Sequence, residues 1–125
     1  MKNSILDLKD TERVRRQKNI IAVSSADNID LIVPDDLLYL EADGNYTTFH
    51  LFNKSTIISS RNLGNYEKLL DSDLFFRIHN KFIVNINMVK SISTSSGSYC
   101  EIINGKKLPI AKRRKVDLYR FLNLT

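Results

Sequence analysis

Phe75-Phe76-Arg77-Ile78-His79-Asn80-Lys81-Phe82-Ile83-Val84-Asn85 sets a polar tip between two apolar anchors. Phe75, Phe76 and Ile78 precede His79-Asn80-Lys81, and Phe82-Ile83-Val84 follow, so a rigid frame should present an imidazole, an amide and an ammonium in one short loop. A second segment repeats the device. Extended Lys107-Leu108-Pro109-Ile110 feeds the four consecutive bases Lys112-Arg113-Arg114-Lys115, which open a helical pattern. Amides and guanidiniums offered together are the groups that read adenine and guanine edges in a DNA groove. These residues point to a DNA-binding domain.

Working outward, the texture between these segments is that of short strands. Ile20–Val23 and Ile29–Val33 flank a polar turn, which predicts a hairpin. Pro34-Asp35-Asp36 predicts a turn or a single helical turn, because proline suits a first helical position. Leu38–Glu41 and Tyr46–Leu51 read as strands joined by a hairpin signal at Asp43-Gly44, followed by a strand at Thr56–Ser59. The period then changes: Leu63, Tyr66, Leu69 and Leu70 predict an amphipathic helix over Asn62–Leu70. Strands return at Phe82–Val84, Lys90–Ser93, Tyr99–Ile103 and Lys106–Ile110, with turns at Ser95–Gly97 and Asn104-Gly105. Lys112–Leu124 predicts a closing helix with Val116, Leu118, Tyr119, Phe121 and Leu122 on one face. The fold class is mostly β, a β-rich α+β domain of about ten short strands with two or three short helices.

Charge is polarised along the chain. The 125 residues carry a formal net charge of +5. Residues 1–25 hold six bases and three acids, residues 26–73 three and nine, and residues 74–125 ten and two. A basic carboxyl half behind an acidic middle suits a one-sided footprint on a polyanion; the bland alternative is a scattered, solvated surface. Ser4–Lys18 reads as a helix with a thin apolar stripe, so residues 1–19 are expected to be a linker or peripheral helix and residues 20–125 the domain. No apolar run approaches the ~20 residues of a membrane span and no signal-peptide core follows Met1, so a soluble, cytoplasmic protein without membrane contact is expected.

Tyr39-Leu40-Glu41-Ala42-Asp43-Gly44-Asn45-Tyr46, Phe76–Asn85 and Leu108-Pro109-Ile110-Ala111-Lys112-Arg113-Arg114, in this order and spacing, resemble the LytTR DNA-binding domain from about Ile20 to Leu124. The resemblance implies an elongated β-rich fold, the output half of many bacterial two-component response regulators. It implies that loops enter successive major grooves, with binding as a pair on repeated half-sites of double-stranded DNA. Carried over by position, the DNA-binding residues are Asn45 and Tyr46, then His79, Asn80 and Lys81, then Lys112, Arg113 and Arg114, with Arg113 favoured for a guanine edge. Two residues depart from the family pattern. Ala111 stands where serine is usual, which removes a possible cap, and Lys81 replaces a residue that is frequently small and polar. The resemblance further implies an upstream receiver domain joined through residues 1–19, and self-association on DNA.

Independently of the resemblance, bases at a helix start oppose the macrodipole, so their presence at Lys112–Lys115 suggests an external anion. Other residues have plainer readings. Arg77 is either an ion-pair partner of Glu41 or Glu67 or a phosphate contact; His79 holds its loop; Asn85 forms a turn; His50 is an ordinary strand residue; Asp35-Asp36 open a helical turn. Cys100 is the single cysteine, which excludes an intramolecular disulfide and reads as a small core residue. No nucleophile–base pair, phosphate loop or metal constellation is present, so no enzyme and no cofactor is expected. The alternative is a basic β-rich interaction module for RNA or an acidic protein. An RNA module would need exposed aromatics for stacking, for which Tyr46, Tyr99 and Phe82 are the candidates.

Overall fold

Turn residues cut the chain into short pieces, and the pieces pair with their neighbours. The computed structural model describes residues 20–25, 27–95 and 97–124. The helix expected over residues 4–18, and the linker role expected of residues 1–19, lie outside the described residues. The strands are β1 (Ile21–Ser24), β2 (Ile29–Ile32), β3 (Leu37–Asp43), β4 (Tyr46–Leu51), β5 (Thr56–Ser59), β6 (Phe75–His79), β7 (Phe82–Asn85), β8 (Val89–Ser93), β9 (Tyr99–Ile102) and β10 (Lys107–Pro109). Two helices, α1 (Leu63–Leu69) and α2 (Lys115–Phe121), join them, with 3-10 turns at Pro34–Asp36, Ile86–Met88 and Lys112–Arg114. Among the described residues the expectation of about ten strands and two or three helices is met.

Three antiparallel sheets result: β1-β2, β5-β4-β3-β7-β6 and β10-β9-β8. The central sheet is two hairpin units joined by β3 and β7, with Tyr39 opposite Val84, Leu40 opposite Ile83 and Glu41 opposite Phe82. Both joining strands are covered on both faces, which is why their sequences run apolar without alternating. On one face, Leu37, Leu40 and Ile83 pack with Ile21, Val23 and Ile32 of the first hairpin and with Leu63, Tyr66 and Leu70 around α1. On the other, Leu38, Tyr39, Phe82 and Val84 pack with Cys100 and Ile102 of β9, Leu108 of β10 and Leu118 of α2.

Local chemistry fixes the ends of the elements. Asn62 caps α1 by accepting the Asn65 N–H at 2.9 Å. Thr47 Oγ1 donates to Arg61 O at 2.8 Å, Ser59 and Tyr66 share a hydroxyl hydrogen bond, and Phe49 meets Tyr66 edge-on at 4.8 Å. These contacts seat α1 on β4 and β5. Asn85 is buried: its amide nitrogen donates to Pro34 O (3.0 Å) and Leu37 O (2.9 Å), and its oxygen accepts from Asn87 N–H (3.1 Å). It is a turn-forming residue, as expected, and it also ties β7 to the entry of β3.

Three details differ from the sequence reading. Phe75–His79, anticipated only as an apolar anchor, is a full strand, and a register shift between Arg77 and His79 leaves Asn80-Lys81 alone as its loop. Leu69, placed on the core face by its spacing, is 63% exposed, while Leu70 is buried at the helix end. Val116 is 60% exposed, because two residues of α-helix turn it by about 200° from Leu118, the residue that α2 buries.

Asn85→Ala should lower the unfolding free energy by about 2–4 kcal/mol, since Leu37 O and the Asn87 N–H lose their bonds to the side chain and Pro34 O is left with the Leu37 N–H alone; urea denaturation with an unchanged m-value measures it. Burial pushes the Cys100 thiol up to about 11. Alkylation of the native protein at pH 8 should therefore run at least roughly a hundredfold slower than for an ordinary thiol, with normal reactivity restored in denaturant.

Candidate nucleic-acid interface

Antiparallel pairing of β3 with β7 places two turns at the same end of the central sheet. Asp43 and Tyr46 are opposed, so Gly44-Asn45 is a two-residue turn. Gly44 takes φ +60°, a conformation that glycine adopts without a Cβ penalty. Asn45 and Tyr46 are exposed there. Beside this turn, Ala42 N–H donates to Lys81 O at 2.8 Å, which extends the β3–β7 ladder into the Asn80-Lys81 loop.

Arg77 holds that loop from beneath. Its Nη1 donates to Glu67 Oε1 at 2.8 Å, its Nη2 to Asn80 O at 2.6 Å and its Nε to His79 O at 3.2 Å. Of the readings open to Arg77 in the sequence, the ion pair with Glu67 is the one formed. His79 Nδ1 accepts the Lys81 N–H at 3.1 Å, so the proton of the neutral ring sits on Nε2, and the ring packs at 5.9 Å from that of Phe82. Asn80 and Lys81 are exposed.

The third segment is pinned by backbone. Ala111 N–H donates to Ile78 O at 2.8 Å, and Arg114 N–H to Ala111 O at 2.9 Å, which closes the Lys112–Arg114 turn without a side-chain cap. Position 111 thus loses the serine cap but keeps its place through β6. Lys112 and Arg113 are exposed, and Arg113 Nη2 donates to Asn80 Oδ1 at 3.2 Å. Two of the residues named from sequence, 33 positions apart, are in direct contact. Arg114 is half-buried and lines a cleft of about 330 Å³ with Glu67, Arg77, Asp117 and Phe121.

Lys81, Lys112 and Arg113 therefore offer exposed positive charge on one corner, next to the Asn80 carboxamide and one turn away from Asn45 and Tyr46. Of the two acids of β3, Asp43 is exposed beside the turn, whereas Glu41 is engaged: its Oε1 lies 3.0 Å from His50 Nε2, and the His50 ring stacks on Tyr39 at 4.2 Å. Burial, and then the Glu41 carboxylate, push the Tyr39 phenol upward. The sequence offered Glu67 as one of two ion-pair partners for Arg77; the bonds from the same guanidinium to His79 O and Asn80 O were not legible there. Among the described residues no group of three or more His, Cys, Asp or Glu is arranged to hold a metal ion, and no helix is long and apolar enough to cross a membrane.

Comparison with known proteins bears on the same residues. The family model described as the LytTr DNA-binding domain matches residues 27–123. The sensory transduction protein LytT of Bacillus subtilis (strain 168) is 26% identical over 106 residues; the match covers 83% of this chain and 44% of that protein. A solved structure of a LytTr DNA-binding domain from Bacillus cereus superposes with a TM-score of 0.72 at 27% identity, covering 84% of this chain and 97% of that one.

Proposed function

The chain belongs to the LytTR family of DNA-binding domains, and from that premise we propose that it reads a specific double-stranded DNA sequence through three loops to regulate transcription. Asn45 and Tyr46 form the first reading group, His79, Asn80 and Lys81 the second, and Lys112, Arg113 and Arg114 the third. The observation that carries this assignment is the Asn80–Arg113 hydrogen bond, which holds an amide and a guanidinium side by side on an exposed, basic corner. Arg113 keeps further N–H donors for a guanine edge, and the Asn80 carboxamide has the donor and acceptor that adenine requires. Lys81 and Lys112 contact phosphates and supply affinity, whereas the base edges supply preference. His79 supports its loop through the Lys81 amide and contributes shape to the second reading group.

The chain spans 44% of the length of the LytT protein it matches. In our reading residues 20–125 are the output domain of a cytoplasmic response regulator, residues 1–19 join it to an upstream receiver domain, and two copies occupy paired half-sites.

Selection against a random duplex library, followed by titration of the enriched and a scrambled duplex at two salt concentrations, tests the proposal. A repeated half-site bound tightly at moderate salt supports it; equal, steeply salt-dependent binding to both duplexes sinks it in favour of an acidic protein partner. On the enriched duplex Arg113→Ala should lose about 1–3 kcal/mol and relax preference at one base position. A uniform loss on every sequence would make Arg113 a phosphate contact. Lys81→Ala should weaken binding to all sequences and reduce the salt slope by about one unit; an unchanged slope removes Lys81 from the interface.

A further inference from the structure

All three nitrogens of the Arg77 guanidinium are committed within the protein, to Glu67 Oε1, Asn80 O and His79 O. The two carbonyls belong to the two peptide groups that flank Asn80. Peptide groups are planar, so fixing both planes fixes φ and ψ of the residue between them. The direction in which the Asn80 side chain leaves the loop is thereby set by Arg77. The Asn80 carboxamide oxygen in turn receives Arg113 Nη2 at 3.2 Å, so the orientation passes to the third segment. Glu67 lies at the far end of this relay, on α1, and its carboxylate at 2.8 Å holds the planar fork in register.

Resting on the DNA-reading function proposed above, we infer that Glu67 is a positioning residue for sequence readout, acting through Arg77 on Asn80 and Arg113. It sets preference among sequences, not the attraction to phosphate. The sign of its effect separates this role from simple electrostatics. Removing a carboxylate leaves a basic protein more positive, so the charge effect alone predicts equal or tighter binding to every duplex. Loss of positioning predicts the opposite on the preferred duplex and no loss on a scrambled one.

The test titrates the enriched and the scrambled duplex with unmodified protein, Glu67→Ala and Glu67→Gln. Glu67→Ala should reduce the ratio of the two affinities by at least about fivefold, the low end of what one base pair is worth. Glu67→Gln, whose amide oxygen still accepts from Nη1, should restore most of it. Arg77→Lys, which keeps the charge and loses the fork, should reproduce the loss. Amide exchange in free Glu67→Ala should quicken at Lys81, whose N–H rests on His79, while Leu40 in the core stays protected and certifies the fold. A discriminating unmodified protein together with an undiminished ratio in Glu67→Ala overturns the inference. An unmodified protein that does not discriminate overturns the DNA-reading itself, whatever the loop exchange shows.

Discussion

Everything in this domain hangs on the short antiparallel seam between β3 and β7. Three opposed pairs, Tyr39 with Val84, Leu40 with Ile83 and Glu41 with Phe82, turn two separate hairpin units into one five-stranded sheet. The seam also divides the core. Leu40 and Ile83 face the cluster closed by α1 and the first hairpin, while Tyr39, Phe82 and Val84 face the cluster closed by β9, β10 and α2. A slip of one residue would exchange the two faces of a strand, so both clusters enforce the same register. The consequence for the site is direct: the register that fills two cores also sets the Gly44-Asn45 turn beside the Asn80-Lys81 loop.

Asn85 completes the seam from its other end. A buried amide is costly unless its donors and acceptor are all met, and here they meet the carbonyls of Pro34 and Leu37 and the N–H of Asn87. The polar group contributes what an apolar residue could not, a directional lock between the start of β3 and the end of β7. The two ends of the seam thus differ in character. One is fixed by buried hydrogen bonds, and the other is left exposed with its side chains turned outward.

Much of this architecture was legible from local chemistry. Glycine turns at Asp43-Gly44 and Asn104-Gly105, the Asn62 cap and continuous apolar runs at Leu37–Leu40 and Phe82–Val84 carry their own instructions. What failed were assignments of phase in very short helices. Seven residues sample the helical period about twice, too few to tell Leu69 from Leu70 or to set Val116 apart from the face that buries Leu118. The bulge at Arg77–His79 was hidden for a similar reason, since a register shift depends on the partner strand and leaves no mark on its own sequence. Site residues could be named one by one from their types and positions. Their contacts could not, because Asn80 and Arg113 are joined across 33 positions by the path of the whole second cluster.

That path explains how loops without regular structure can offer ordered groups. Ordering exposed, rotamer-rich side chains at the moment of binding costs about 0.5–1.5 kcal/mol each. In this domain part of that ordering is already present in the free protein. Arg77 fixes the backbone around Asn80, Asn80 restrains Arg113, and the Ala111 N–H pins the Lys112–Arg114 turn to Ile78 O. Lys81 and Lys112 stay exposed, as suits the phosphate contacts proposed for them, in which a point charge needs no fixed angle. The bases at the entry to α2 remain locally unfavourable, because they face the positive end of the helix, with Asp117 the one acid in its first turn. A phosphate backbone at that corner would relieve the repulsion, so charges that are locally unfavourable in the free protein would become favourable when an anion arrives.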